Sequence, residues 1–88
     1  MIRHMQTLDK ELEHISKLLM QGRTGEANSL WNIQLGVLSE RLRSLGKEQQ
    51  ARFLPALRLV LACQQNDDWV GMADGLRHSL RPLFKEST

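Results

Sequence analysis

Few residues of this sequence could stabilise a small fold covalently or build an active site. Cys63 is the only cysteine among the 88 residues, so an intrachain disulfide and a cysteine-based zinc site are excluded. It stands in the apolar stretch VLAC, where we expect a small buried side chain rather than a reactive thiol. A chain of this length buries only about 60–65% of its unfolded surface, so its core is marginal unless a partner adds to it.

Long apolar runs and clustered charge are missing as well. The opening residues MIRHMQTLDK contain no apolar signal-peptide core, and no stretch approaches the roughly 20 apolar residues of a membrane span. We therefore expect a soluble, cytoplasmic protein without a membrane partner. Six basic and five acidic side chains lie in residues 1–46, and residues 47–88 have the same numbers of each. Such interspersed charge is typical of a solvated surface, so no nucleic-acid partner is expected.

Glycines and an acidic cluster divide the chain into four helical segments, which predicts one all-α domain over residues 1–88. The first segment, about 3–20, has a heptad seam and stops at Gly22. The second runs from a Thr24 N-cap to about Leu45, and Gly46 ends it. The predicted inward residues are Met5, Leu8, Leu12, Ile15 and Leu19 in the first segment, and Ala27, Trp31, Leu35, Leu38, Leu42 and Leu45 in the second.

The third segment, from Glu48 to about Gln65, is apolar nearly all round. In FLPALRLVLAC, Arg58 is the only polar residue, and such a helix must be covered on several sides. Pro55 removes a hydrogen-bond donor, so we expect the helix to be kinked near Pro55 or to restart there. Three amphipathic neighbours could hardly cover this helix, so we expect a dimer or another protein partner. A four-helix bundle and two αα-hairpins exchanged between protomers both fit.

The fourth segment, NDDWVGMADGLRHSLRPLF, begins with a cap from Asp67 or Asp68, whose charge suits a helix N-terminus. Pro82 is expected to shorten or distort its last turn. The predicted inward residues are Trp69, Ala73, Leu76, Leu80 and Leu83.

Two glycines inside this fourth segment need an explanation, since each weakens a helix by about 1 kcal/mol relative to alanine. Gly71 and Gly75 lie four residues apart and therefore on the same face. We expect them to allow close packing within the chain, with Gly36 of the second segment as the candidate neighbour. Close approach of a partner helix is the alternative.

Two histidine patterns resemble parts of known metal or phosphotransfer sites, but neither pattern is complete. Glu11 and His14 form a Glu-x-x-His pair, but di-iron bundles need two such units and two further inward glutamates. The stretch HISK, residues 14–17, resembles the His-x-x-Lys around the phosphorylated histidine of phosphotransfer domains, although Leu18 stands where a small residue is typical. No nucleophile with a base and no phosphate-binding glycine loop is recognisable. We expect no enzyme, no cofactor and no metal.

The candidate partner-binding residues lie on the third and fourth segments. Apolar side chains of the third segment, together with a tryptophan at the start of the fourth, would bury against a partner helix. Two basic residues of the fourth segment form a ladder with Lys85 that could dock on an acidic surface. The predicted set is Phe53, Leu57, Val60, Leu61, Trp69, Gly71, Gly75, Arg77 and Arg81.

The stretch DWVGMADGLRHSLRPLF resembles a D-[W/Y]-V-x-x-A-D-x-L-x-x-x-L-x-P-L pattern near the C-terminus of short helical proteins encoded beside bacterial flagellar genes. The positions that match are Asp68, Trp69, Val70, Ala73, Asp74, Leu76, Leu80, Pro82 and Leu83. The upstream stretch LLMQGRTGEANSLW is similar to those proteins at Gly22, Glu26, Ala27 and Leu30. The chain departs from the pattern at Gly71, Gly75 and the Arg77 and Arg81 pair.

This resemblance implies a helical accessory protein of motility or flagellar export, in which an apolar groove holds an amphipathic segment of a substrate or assembly factor. Our prediction is a non-enzymatic helical interaction module that acts as a chaperone or adaptor in flagellar or type III export. A histidine phosphotransfer module using His14 and a purely structural homodimer are the alternatives.

Overall fold

The computed structural model describes residues 2–86, with the side chains of residues 8–83, and shows four helices. Helix α1 spans Ile2–Met20, α2 spans Thr24–Ser44 and α3 spans Lys47–Gln65. Helix α4, residues 69–86, is continuous and consists of α-helical Trp69–Asp74, π-helical Gly75–Leu80 and α-helical Arg81–Glu86. No residue in 2–86 is in a strand. The all-α prediction is confirmed.

The four helices form one bundle whose central pair is α1 and α4. Helix α1 packs on α2 and α4, and α3 packs on α4. The Cα radius of gyration is 12.2 Å, which matches the roughly 12 Å expected for a compact chain of this length. The architecture of the single chain is therefore a four-helix bundle. Within residues 2–86, no helix combines the length and the apolar character that a membrane crossing requires.

The core is built by the apolar stripes that helical spacing predicts. The predicted residues that are buried are Leu8, Leu12, Ile15 and Leu19 on α1, Ala27, Trp31 and Leu38 on α2, and Ala73, Leu76 and Leu80 on α4. Those that pack partly buried against this core are Leu35, Leu42, Leu45, Trp69 and Leu83. Leu18 and Met72 are buried although neither lies on a predicted stripe. The side chain of Met5 lies outside the described residues.

One polar side chain among those described is buried, and it joins the central helices. Ser16 on α1 is 1% exposed, and its hydroxyl donates to the Ala73 carbonyl of α4 at 3.2 Å. A buried hydroxyl without such an acceptor would destabilise the fold by about 1–3 kcal/mol. The hydrogen bond thus helps to align α1 with α4.

Helix α1 ends at the predicted glycine. Gly22 has a φ of 79°, and its N–H donates to the Leu19 carbonyl at 3.1 Å. The next N–H, of Arg23, donates to the Leu18 carbonyl at 2.9 Å. This is a Schellman motif, which satisfies carbonyls that the helix end would otherwise leave unpaired. The predicted stop is confirmed.

Helix α3 ends in the same motif with an aspartate in the left-handed position. Asp67 has a φ of 54°, its N–H donates to the Gln64 carbonyl at 3.2 Å, and the Asp68 N–H donates to the Cys63 carbonyl at 2.8 Å. Asp68 then caps α4, because its Oδ1 accepts the Gly71 N–H at 3.0 Å. Of the two predicted caps, Asp68 is the correct one.

The bounds of α2 agree with the prediction to within one residue, but the predicted roles of two boundary residues are wrong. Arg23 is the N-cap of α2, without a side-chain hydrogen bond, and Thr24 is already inside the helix. Leu45 ends α2 in an extended conformation, and Gly46, with a φ of −68°, is the N-cap of α3. Only these two residues connect α2 to α3, so the connection has no room for a left-handed glycine turn.

Proline has different effects in α3 and α4. Helix α3 continues through Pro55, so a restart there is wrong; Pro55 and Ala51 are exposed, and water can reach the carbonyl that loses its donor. In α4 the Arg81 N–H donates to the carbonyl of Leu76, five residues earlier. Because Pro82 cannot donate and its ring would crowd a regular turn, the preceding turn widens into the π-helical segment. The sequence predicted the distortion in the last turn, whereas the structure has it one turn earlier and keeps Arg81–Glu86 α-helical.

Candidate functional site

The nine predicted partner-binding residues fall into two groups. Buried in the core are Phe53, Leu57, Val60 and Gly75. Half-buried at the surface are Leu61, Trp69, Gly71, Arg77 and Arg81. Only the second group can contact a partner without opening the bundle. The binding role of all nine stays a prediction.

The two glycines of α4 lie against α3. A Cβ on Gly71 would be 2.9 Å from Cys63 Sγ, and a Cβ on Gly75 would be 3.0 Å from Val60 Cγ2. Real Cβ atoms scarcely approach as closely as 2.9 Å, and 3.0 Å is tighter than most Cβ contacts, so a Cβ at either position would force a neighbour to move. Close packing within the chain is confirmed, but the neighbour is α3. The predicted contact with Gly36 is wrong, because Gly36 is exposed and has open space around it.

Arg81 is held by two carboxylates of α1. Its Nε and Nη2 donate to Asp9 Oδ1 at 2.8 Å and Oδ2 at 3.2 Å, and Nη2 lies 3.5 Å from Glu13 Oε2. The hydrogen bond to Asp9 raises the pKa of Arg81 above its ordinary value, against the effect of its partial burial. The guanidinium of Arg81, one residue of the predicted basic ladder, thus pairs with carboxylates of the same bundle. Arg77 is half-buried, and the side chain of Lys85 lies outside the described residues.

Cys63 lies beside the cap of α4. Partial burial raises the pKa of the Cys63 thiol, and the negative charge and hydrogen bond of Asp68 raise it further. The thiol is therefore protonated at neutral pH, which disfavours a nucleophilic role. Its contact with the Gly71 backbone agrees with a packing role.

His14 of α1 lies at the surface. His14 is exposed, and Glu11 is half-buried. Lys17, one turn after His14, pairs with Glu13 at 3.9 Å between Nζ and Oε1. In the part of the chain whose side chains are described, no three His, Cys, Asp or Glu residues are grouped so that they could hold a metal ion. Phosphotransfer through His14 stays a prediction.

A lightly packed seam runs between α2 and α3, whose backbones stay farther apart than those of the pairs α1–α2 and α3–α4. At one end, Gln64 Nε2 donates to Asn28 Oδ1 at 3.0 Å. At the other end, Gln50 Nε2 donates to the carbonyls of Leu42 at 2.7 Å and Leu45 at 3.0 Å. Fourteen residues of α2 separate Asn28 from Leu42, which corresponds to about 21 Å of helix.

Leucines lie between these two glutamine bridges. On α2, Leu35 follows Asn28 by seven residues and Leu42 follows Leu35 by seven, so all three share a face. On α3, the residues Gln50, Leu54, Leu57, Leu61 and Gln64 follow one another at spacings of 4, 3, 4 and 3. We call Leu35, Leu42, Leu54 and Leu61 the seam leucines. Leu54 is 40% exposed, and the other three are half-buried.

A second apolar surface covers the outer side of α3 and the start of α4. Leu59 is 48% exposed and Val70 is 64% exposed. Small residues, also exposed, lie beside Leu59 on the same side of α3. We call this surface the α3–α4 face, and its residues are Ala51, Pro55, Leu59, Ala62 and Val70.

The outer flank of α2 has a third set of exposed apolar residues. Ile33 is 62% exposed and Val37 is 45% exposed. An open groove of about 470 Å³ beside them is lined by Val37, Glu40, Arg41 and Ser44. Because an acidic and a basic side chain line this groove, it is less apolar than the other two surfaces.

Comparisons of the chain with protein families, with curated proteins and with solved structures found no match. The resemblance to proteins encoded beside flagellar genes therefore stays a prediction. It depends on the residues of α4 and of the α1–α2 turn.

Proposed function

We propose that this protein is a non-enzymatic interaction module that binds an amphipathic helix of another protein along the α2–α3 seam. The observation that carries the proposal is the incomplete closure of this seam. Two heptad stripes face one another across it, yet the helices stay apart and the seam leucines keep part of their surface in water. Full burial of one leucine side chain contributes about 1.5–3 kcal/mol, so a bound helix would find a favourable surface.

The seam is also the interface that opens most easily. Its ends are bridged by side-chain hydrogen bonds of Gln50 and Gln64, each worth about 0.5–1.5 kcal/mol net because water can replace it. The central pair of α1 and α4 keeps its own apolar contacts when α2 and α3 separate. Opening would add Leu57, which lies between Leu54 and Leu61 on the stripe and belongs to the predicted binding set.

The partner expected for such a seam is an amphipathic helix of about four turns. Helix-in-groove recognition uses apolar anchors at positions i, i+3 or i+4, and i+7, which match the heptad spacing of the seam leucines. The distance of about 21 Å between the glutamine bridges sets the length of the helix.

The pathway that we propose for this module is flagellar or type III export, with a chaperone or adaptor role in the cytoplasm. Support for the pathway comes only from the resemblance of residues 68–83 to proteins encoded beside flagellar genes. A chaperone of this kind would hold an amphipathic segment of an export substrate before assembly.

The test begins with the tagged protein purified from its native host and with mass spectrometry of what remains bound. The variants are Leu54→Glu and Leu61→Glu in the seam, and Ile33→Glu on the outer flank of α2 as the matched control. We expect one partner to remain on the wild type and on Ile33→Glu and to be lost from both seam variants. Circular dichroism spectra establish that each variant is folded.

The bound segment is then synthesised and titrated into the purified protein. Each seam variant should raise Kd at least tenfold, about 1.4 kcal/mol, while Ile33→Glu should leave it within about twofold. Equal binding by all three variants would remove the seam as the site. A flagellar or export component as partner supports the pathway, and an unrelated partner bound through the same leucines supports the module alone.

A further inference from the structure

We propose that the α3–α4 face binds a second copy of this chain, with the two α3 helices side by side and parallel. This surface differs from the seam, so the inference does not depend on the proposed function.

The shape of the face suits a helix of a second copy. Leu59 and Val70 supply exposed apolar surface, while Pro55 and Ala62 are small and lie on the same side of α3. Small side chains let two helix backbones approach closely. Arg52 and Arg58 are the only charged residues of α3 from Ala51 to Ala62, so little charge would have to be desolvated.

Opposite charges lie on the two edges of this face. Arg58 is four residues after the seam residue Leu54, which places it on the edge nearer α2. Asp74 is four residues after Val70, on the α4 edge, and it precedes Gly75, which lies against Val60 of α3. The two charges are therefore at similar heights along the bundle. Both side chains are exposed, and neither has a partner among the described residues.

This arrangement of charge is complementary to itself in one orientation only. A twofold axis parallel to α3 brings the Arg58 edge of one copy onto the Asp74 edge of its partner, and it does so twice. A twofold axis perpendicular to α3 would instead bring Arg58 against Arg58 and Asp74 against Asp74. Like charges across an interface disfavour association. The parallel arrangement follows, and a second copy is the partner that supplies both halves of each ion pair.

The test is sedimentation equilibrium of the purified chain at low ionic strength, over a range of concentrations. We expect the wild type to dimerise and Leu59→Glu to be monomeric, because a carboxylate would be buried at the centre of the face. Ile33→Glu, which changes a still more exposed apolar residue on α2, should dimerise like the wild type. Leu61→Glu should as well, so this result and the partner-binding result can fail separately.

Charge reversal tests the orientation. Arg58→Asp and Asp74→Arg should each weaken dimerisation at least tenfold, because each variant places like charges together twice. The double variant restores both pairs in the parallel dimer, so its Kd should return to within about threefold of the wild type. In the perpendicular arrangement the double variant would keep like charges together.

Three outcomes would overturn the proposal. The first is a wild type that stays monomeric up to concentrations of about 1 mM, a free energy of only about −4 kcal/mol. The second is a dimer that Leu59→Glu leaves intact while its circular dichroism is unchanged. The third is a double charge variant that fails to recover the affinity lost by the single variants.

Discussion

At the scale of single residues, glycine has different roles at different positions in the helices. Gly36 lies in the middle of α2, where a Cβ would meet nothing within 4 Å. Gly71 and Gly75 lie where α4 approaches α3, and a Cβ would reach Cys63 or Val60. Helix propensity alone would disfavour all three glycines equally, so the neighbouring helix decides which of them the fold needs.

Alanine substitutions should separate these roles. Gly36→Ala should raise the free energy of unfolding by about 1 kcal/mol, because the helix gains propensity and no atom is displaced. Gly71→Ala should lower it despite the same gain, since the new methyl group would crowd Cys63 Sγ at 2.9 Å and displace the Asp68 cap. Urea unfolding followed by circular dichroism measures both. Changes of the same sign would contradict this account of the glycines.

Asp67 is an aspartate in a position that favours glycine. With its φ of 54° it occupies the left-handed turn that ends α3, so Asp67→Gly should stabilise the protein by about 0.5–1 kcal/mol. Asn66→Gly is the matched control, because the φ of Asn66 is −93° and glycine there only adds unfolded-state entropy. Thermal unfolding should show a higher Tm for Asp67→Gly and no gain for Asn66→Gly.

Cys63 should make stability depend on pH above neutrality. Because folding raises the pKa of this thiol, its contribution is fully present below the unfolded pKa of about 8.5 and is lost as pH rises through the folded value. Cys63→Ala removes this dependence. The free energy of unfolding of the wild type should therefore fall more between pH 7.5 and pH 10 than that of Cys63→Ala. Parallel pH curves for the two proteins would show that the thiol is not linked to folding.

At the scale of elements, α4 depends on its π-helical segment and on α1. The widened turn precedes Pro82, and directly after it Arg81 meets Asp9 and Glu13. Arg81 and Asp9 are only 15% and 23% exposed, so water screens this pair little. The pair joins the last part of α4 to α1, in addition to the apolar contacts of Leu80.

Arg81→Met should therefore lower the free energy of unfolding by about 1.5–3 kcal/mol, the usual effect of hydrogen bonds to charged groups. Arg81→Lys should recover only part of this loss, because lysine cannot make the two parallel hydrogen bonds to Asp9. The control is Arg43→Met, whose pair with Glu40 is 79% and 76% exposed and should matter by less than about 0.5 kcal/mol. Urea unfolding that gave equal losses for Arg81→Met and Arg43→Met would contradict the structural role of the Asp9 pair.

At the scale of the whole molecule, α3 has apolar surface that the other helices leave uncovered. Its inner side packs in the core through Phe53 and Val60, while Leu54 and Leu59 remain 40% and 48% exposed on its two flanks. The sequence predicts such a helix, and from it we expected an interface with a second copy or with another protein. The seam and the α3–α4 face are where the uncovered surface lies.

Loosening the seam should lower stability without weakening the binding of the partner helix. Gln64→Ala removes the hydrogen bond to Asn28 and should lower the free energy of unfolding by about 0.5–1.5 kcal/mol. If the bound state requires an open seam, the same change should keep or tighten the affinity for the partner helix. Unfolding curves and calorimetric titration measure the two effects. Weaker binding by Gln64→Ala would show that the closed seam is the binding state.

Local chemistry explains which features were predictable from the sequence. The helices, their inward stripes, the stop at Gly22 and the cap at Asp68 depend on residues within one or two turns of each other. The α3 side of the seam can be recognised in the sequence by its heptad spacing. The residues with this spacing are Gln50, Leu54, Leu57, Leu61 and Gln64. Two of the incorrect predictions, an N-cap at Thr24 and a helix stop at Gly46, occur where the connection between helices sets the backbone conformation.

The sequence by itself determined that the protein is helical and where each helix turns inward, because the 3.6-residue period acts on neighbouring residues. Only the tertiary structure decided that Gly71 and Gly75 face α3 rather than Gly36. It also paired Arg81 with Asp9, 72 residues away, and left α2 and α3 apart. These outcomes depend on which helices lie side by side, and helix pairing follows from the apolar contacts of the entire bundle rather than from any one stretch.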